Sequence, residues 1–270
     1  MSSRNIKERG GRPNQHTQSL RINKFLAQSG VASRRAADEL ISEGHVQVNG
    51  QVVTTLGLQV FPDKDVVRVK GRIIKPESKV YLILNKPKSV ITTTSDPQER
   101  KTVMEYLPDL KERVFPVGRL DWDSEGLLLF TNDGDFANKV IHPRDQIPKI
   151  YHVKTERALE EEAIQKLLRG VTIPGGKVRL RSISPLRGKE TLHAWYRVVI
   201  TQGLNRQIRN MFSKVGHDVI KLQRVGIGSL EIGALPKGQF KFLTLDQAKK
   251  ALQDPENKPK KERQKSSKRI

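Results

Sequence analysis

The sequence predicts an α+β protein in which a small helix–helix–sheet module precedes a larger, mixed but mainly antiparallel sheet. Three observations predict it. Near the N-terminus, two short apolar stripes at helical spacing come before β-branched residues broken by Asn49-Gly50. Farther on, short apolar runs such as Val80 to Leu84 and Leu127 to Thr131 alternate with helical stripes. The length, 270 residues, suggests two domains at roughly 150 residues each.

Taken in order, residues 20–78 form the first module. Leu20, Ile22, Phe25 and Leu26 make the stripe of a first helix, and Gly30 offers a left-handed stop. Ser33 caps a second helix with Ala36, Ala37, Leu40 and Ile41 inward, ended by Gly44. Val46 to Val48 and Val52-Val53 flank Asn49-Gly50 as a hairpin, and Val66, Val67 and Val69 supply a further strand. Residues 79–252 form the second module. Its strands are Val80 to Leu84, Leu127 to Thr131, Tyr151 to Thr155, Val178 to Ile183 and His193 to Ile200. Helices fall at Phe136 to Ile141, Glu160 to Leu168 and Asn205 to Val215, and Pro143 and Gly170 mark the ends of the first two.

Charge narrows the class of partner. Lys and Arg total 50 against 29 acidic residues, a net charge of +21. Residues 20–78 carry +3 and residues 79–252 carry +11, so the excess belongs to the folded parts as well as to the ends. Such a field gathers polyanions, of which nucleic acid is the commonest. The ends, residues 1–19 and 253–270, are basic and nearly devoid of apolar side chains, so disordered tails are expected there. No apolar run nears the roughly 18 residues that span a bilayer, and Met1 to Gln18 lack a signal segment. Without cysteine, disulfide and thiolate chemistry are excluded. A cytoplasmic protein with no membrane partner is expected.

No metal site is predicted. The histidines (His16, His45, His142, His152, His193 and His217) never fall at ligand spacing. Asp121, Asp123, Glu125 and Gly126 imitate the start of a calcium loop, but Asn132 stands where its bidentate Glu belongs, and Leu127 to Phe130 read as a strand. Phosphate-binding loops and a serine nucleophile elbow are absent.

The order helix, Gly30, Ser33-Arg34-Arg35, helix, Gly44-His45-Val46, Asn49-Gly50 resembles the alpha-L RNA-binding module of a small-subunit ribosomal protein. The resemblance implies grip on structured RNA. Its best-placed cations are Arg21 and Lys24, three residues apart, and Arg34 and Arg35, at a helix start where free N–H groups also favour anions.

In the second module the run Gly118-Arg119-Leu120-Asp121-Trp122-Asp123-Ser124-Glu125-Gly126-Leu127-Leu128-Leu129 would by itself read as a charged loop entering a strand. It closely resembles the signature of RsuA/RluB-type ribosomal RNA pseudouridine synthases. Lys86-Pro87, Lys149-Ile150-Tyr151 and Gly203-Leu204-Asn205-Arg206-Gln207-Ile208-Arg209 resemble three further motifs of that family, in the right order. Ser89, where the family usually has Gly, and Asn210, where it usually has Arg, depart from the pattern.

The resemblance implies the reaction: the bond from uridine N1 to ribose breaks, the base turns, and carbon 5 rejoins the sugar. No group is imported and no electron leaves, so no cofactor is expected. Asp121 would be the catalytic carboxylate, as nucleophile at the ribose or as a base on its 2′ carbon, and Arg209 its ion-pair partner. Tyr151 would stack on the base and help remove the carbon-5 proton, and Ile208 would pack on another side. Arg119 would fill the space left by the flipped base. Lys86 is assigned to substrate binding, and Arg206 is read as an RNA contact against a solvated charge. The expected partner is ribosomal RNA or a pre-ribosomal particle, the large-subunit RNA favoured by the two basic tails, with the protein a monomer. The competing reading is a silent RNA-binding or assembly protein of the same fold. Charge and the first module fit both, and only Asp121, Tyr151 and Arg209 together separate them.

Overall fold

The computed structural model describes residues 18–186 and 194–256, and most of both expected tails lies outside these residues. The chain divides into two compact units that part between Glu77 and Ser78.

The first unit holds α1 (Ile22–Gln28) and α2 (Arg34–Ser42), followed by β1 (Val46–Val48), β2 (Gln51–Val53), β3 (Val67–Val69) and β4 (Arg72–Ile73). The strands run antiparallel in the order β2-β1-β3-β4. Ser33 caps α2 by accepting the Ala36 N–H at 3.2 Å, a bond worth about 1 kcal/mol. Asn49 and Gly50 take φ values of +52° and +86°, the left-handed pair that a two-residue hairpin needs. Asn23 ties the helices together through Nδ2 bonds of 2.9 and 3.1 Å to the Asp38 carboxylate. Beneath them, Ile22, Phe25, Leu26, Ala37, Ile41 and Val46 form one core. Val66, expected in the sheet, stays exposed, and β3 begins at Val67.

The second unit is built on a nine-stranded sheet. Its main strands are β5 (Tyr81–Lys86), β6 (Glu125–Thr131), β7 (Lys149–Thr155), β8 (Ser182–Pro185), β9 (Trp195–Ile200), β10 (Val219–Ile227) and β11 (Phe240–Phe242), in the order β8-β9-β7-β10-β6-β5-β11. Every neighbouring pair on this path is antiparallel except β10 with β6. That parallel seam is short, Gln223 opposite Glu125 and Arg224 opposite Gly126. The strands approach closely there, since a Cβ on Gly126 would lie 2.2 Å from the Arg224 carbonyl oxygen. One face carries α4 (Glu161–Arg169) and α5 (Gln207–Lys214), whose Leu167 and Met211 share a core with Leu84, Leu128, Val153 and Val198 of the strands. The other carries α3 (Gly134–Ile141) and α6 (Leu245–Lys249), whose Phe136 and Ala248 share a core with Ile83 and Leu129 of the strands.

Leu20, expected on the first helix, lies instead in a short strand before it, and three further features depart from the sequence expectations. The single strand expected from Val178 to Ile183 is broken: Gly176–Val178 pairs with Val171–Ile173, and β8 starts at Ser182. Between them Leu180 is buried and its N–H bonds to the Leu167 carbonyl of α4, which turns the chain from one sheet into the other. The helix expected from Asn205 begins only at Gln207, because Arg206 takes a left-handed φ of +48°. The fold also continues through Glu256, for Arg181 pairs with Asp254 at 2.6 Å and Glu256 at 2.9 Å, so residues 253–256 are not part of a loose tail.

Candidate active site

The Gly118–Ser124 loop reaches the sheet at the parallel seam, and bonds from three sides hold its backbone. The Thr92 hydroxyl donates to the Leu120 carbonyl at 2.8 Å and accepts the Leu120 N–H at 3.3 Å. The Ser89 N–H donates to the Trp122 carbonyl at 2.9 Å. To make that bond Ser89 takes a φ of +62°, the region that favours the glycine usual in the motif it departs from. From below, the Lys86 ammonium donates to the carbonyls of Pro87 at 3.1 Å, Asp121 at 3.1 Å and Ser124 at 3.0 Å.

Lys86 is therefore corrected. Its side chain is wholly buried at the end of β5 and cannot touch RNA; it braces the loop. Burial pulls its pKa down to about 8, against the opposing charges of Asp121, Asp123 and Glu125.

Arg209 is corrected as well, since the structure pairs it with Asp123 and not with Asp121. Its Nε lies 3.1 Å from Asp123 Oδ2, without the alignment of a hydrogen bond. Nη2 donates to the Asp123 carbonyl at 3.2 Å and Nη1 to the Val219 carbonyl at 2.6 Å. Burial lowers the Arg209 pKa and Asp123 opposes the shift. Arg206 reaches the same carboxylate, with Nη1 and Nη2 each 3.3 Å from one oxygen. Asp123 thus gathers both arginines at close range, and Asp121, two residues back, acts on Arg209 only through its charge. The Asp121 carboxylate makes no hydrogen bond or ion pair among the described residues, although the loop beneath it is fixed.

Asp121 faces a cavity of about 480 Å³ that Arg119, Tyr151, Arg206 and Ile208 also line. β7 presents Tyr151, and the irregularity between Ile150 and Tyr151 in its pairing with β10 sets the register there. Tyr151 and Ile208 are buried, and no hydrogen bond from the Tyr151 hydroxyl is made among the described residues. Arg119 is exposed at the rim. Five of the expected residues therefore share one cavity, while Lys86 and Arg209 support it from outside. Arg21, Lys24, Arg34 and Arg35 belong to the first unit, where Arg34 and Arg35 are exposed in the first turn of α2.

Sequence reasoning missed three charged residues here. Asp123 looked like a spare acid of a broken calcium loop, Lys149 was only the first letter of a motif, and Arg224 lies in a strand that was not foreseen. Lys149 and Arg224 both line the cavity. Among the described residues no group of three His, Cys, Asp or Glu side chains could hold a metal ion. The acids nearest the site have cationic partners instead, Glu125 lying 2.9 Å from Lys237 and 3.6 Å from Lys221.

These features define an enzyme-like α+β unit with a lone carboxylate in its central cavity, preceded by a basic module that matches the S4 domain over residues 20–66. The profile of the RNA pseudouridylate synthase family matches residues 80–214. A relative from Aquifex aeolicus (strain VF5), described as an uncharacterized RNA pseudouridine synthase, is 41% identical over 83% of this chain and 90% of its own length. The ribosomal large subunit pseudouridine synthase B of Bacillus subtilis (strain 168) is 41% identical, covering 85% of this chain and 94% of its own. The dual-specificity RNA pseudouridine synthase RluF of Escherichia coli (strain K12) is 39% identical over 85% of this chain and 77% of its own. A crystal structure of a pseudouridylate synthase superposes with a TM-score of 0.61 at 25% identity, over 86% of this chain and all of the other. The chain belongs to the RNA pseudouridylate synthase family.

Proposed function

We propose that the protein isomerises a uridine of ribosomal RNA to pseudouridine, with Asp121 as the catalytic carboxylate. The observation that carries this is the contrast between a pinned backbone and an unpartnered side chain. Lys86, Thr92 and Ser89 fix the loop, Asp123 takes up the two arginines, and the Asp121 carboxylate is left facing the cavity. A carboxylate held in this way can attack the ribose or take a proton from its 2′ carbon without first breaking a bond of its own. Tyr151 and Ile208 offer an aromatic and an aliphatic wall for the base. A stacked uridine cannot enter such a cavity, so the nucleotide flips, and Arg119 at the rim fills the stack behind it. Arg206, on the rim with Asp123, contacts the RNA that flanks the target. The large-subunit RNA is the favoured substrate, supported by the name of the Bacillus subtilis relative. The protein acts as a monomer in the cytoplasm.

The test has two parts. Mapping pseudouridines in ribosomal RNA from cells with and without the protein should show one or a few sites vanish. On an RNA fragment carrying such a site, Asp121→Asn should form no product while keeping its unfolding midpoint and its RNA affinity, for the amide matches the carboxylate in size alone. Turnover by the pure variant at more than a hundredth of the wild-type rate would remove Asp121 from the chemistry.

A further inference from the structure

Two cations in the cavity have no role in the reading above. Lys149 opens β7 two residues before Tyr151, so both side chains leave the same face of the strand. Both line the cavity that Asp121 faces. The Lys149 ammonium is half-buried and has no hydrogen bond or ion pair among the described residues. The charge that acts on it is the like charge of Arg224; burial first, then that guanidinium, bring its pKa down to about 8. Arg224 reaches the cavity from β10 and is 4% exposed. Its Nε donates to the Leu127 carbonyl at 2.8 Å, and its Nη2 is buried with no partner.

Folding alone does not account for this pair. Removing two like charges from water beside one another, with no carboxylate at ion-pair distance from either among the described residues, works against the folded state. A pair placed in this way suits an anion that enters the cavity.

The isomerisation proposed above, on which this inference rests, supplies one. In the nucleophilic route a bond forms from an Asp121 oxygen to C1′ as the C1′–N1 bond breaks. In the base route the 2′ proton passes to Asp121 and a C1′–C2′ double bond forms as C1′–N1 breaks. In both, the electron pair of the broken bond stays with uracil, which is released as an anion with its charge spread over N1, O2 and O4. Carbon 5 then bonds to C1′. The Asp121 carboxylate departs from C1′ in the first route, or returns its proton to C2′ in the second. The carbon-5 proton is lost, N1 gains one, and atoms and electrons balance without a co-reactant.

We propose that Lys149, backed by Arg224, holds the detached uracil anion through an ammonium contact to one of its carbonyl oxygens. A phosphodiester beside the target nucleotide is the other anion within reach of such a site. The two differ in when their charge exists. A phosphate is charged before reaction, so losing its partner weakens binding; the uracil charge develops only as the bond breaks, so losing its partner slows turnover.

The experiment uses the full chain and an RNA fragment on which the wild type forms pseudouridine. Lys149→Met is expected to lower kcat by about 100-fold or more, the scale of losing one charge-stabilising donor. Its Kd for the RNA should stay within about threefold, since no ground-state contact is lost. Its urea midpoint should hold or rise, because a desolvated cation has been removed. Lys149→Arg should recover at least a tenth of the wild-type kcat. A weaker Kd with kcat retained would make the site a phosphate clamp, and unchanged kinetics would leave Lys149 without a part; either overturns the proposal. A fall in kcat that comes with a lower midpoint and no rescue by Arg would mark Lys149 as structural, and also overturns it. If the wild type forms no pseudouridine on any ribosomal RNA, the isomerase reading itself is what has failed.

Discussion

Lys86 places a full charge inside the protein, and its effect on stability carries a definite sign. Burial lowers its pKa from 10.5 to about 8. A base whose folded pKa is depressed works against the fold while both states are protonated, below about pH 8. That penalty fades as pH rises from about 8 to 10.5, where the unfolded chain holds a proton that the folded chain has shed. Against the penalty stand three bonds to loop carbonyls, each worth on the order of 1 kcal/mol and costly to leave unmade. Lys86→Met should therefore destabilise the second unit by about 2 kcal/mol at pH 7, and by more at pH 9.5. Urea unfolding at both pH values checks this, and a deficit that shrinks with rising pH would show that the bonds are not what Lys86 contributes. At this scale the sequence exposed Asp121 and Tyr151 because contiguous motifs carry them. It hid the work of Lys86 and Arg209, since a cation in a motif reads alike whether it meets RNA or a carbonyl. Lys149 and Arg224 meet only across β7 and β10, and no local spacing announces that.

Among the elements that sequence reasoning lacked, β10 matters most, because it joins the two halves of the large sheet. Its buried positions include Leu222, Arg224, Gly226 and Ile227, with the half-buried Gln223 and Val225 between them. The alternation of a strand is present, but a buried arginine and a glycine occupy inward positions where apolar side chains are looked for. The elements that were legible, such as α2 with its Ser33 cap and the Asn49-Gly50 hairpin, owe their form to their own residues. Those that were not, such as the break after Val178, owe it to partners distant in sequence. The seam gives a sharp test. Gly126 has a φ of +105°, and its missing side chain admits the Arg224 carbonyl. Gly126→Ala combines a left-handed strain with a backbone clash, so a loss on the order of 4 kcal/mol is expected, at the extreme end for single substitutions. The thermal midpoint should fall by more than about 10 °C. An Ala variant as stable as the wild type would mean that the two strands are not in register as described.

At the scale of the whole molecule, the placement of the charged residues leads to the expectation that the first unit grips RNA and the second holds the chemistry. Every residue placed in the chemistry lies at 119 or beyond, and Arg21, Lys24, Arg34 and Arg35 all lie in the first unit. If each of the four meets a phosphate, a chain beginning at Ser78 should bind the same RNA with a flatter salt dependence. The slope of log K against log salt should change by about 3, from roughly 0.7 to 0.9 per phosphate. Turnover should persist at low salt and be lost at physiological salt. Equal slopes for the long and short chains would show that the first unit does not hold phosphates. The net charge in the sequence does not make this division, since residues 79–252 carry +11 against +3 for residues 20–78. The expected boundary after residue 78 lies one residue from where the two compact units part.

The parallel seam also has a consequence in time. Glu125 and Gly126 meet Gln223 and Arg224, about a hundred residues later in the chain. At the usual pace of translation, about 5–20 residues per second, some 5–20 seconds separate the synthesis of Asp121 from that of the strand completing its cavity. Throughout that interval the nascent protein has its S4 domain finished and its carboxylate made, yet no chamber in which to use it. The cavity that Asp121 faces is therefore among the last parts of the fold to be completed, closed only when this late central strand has docked.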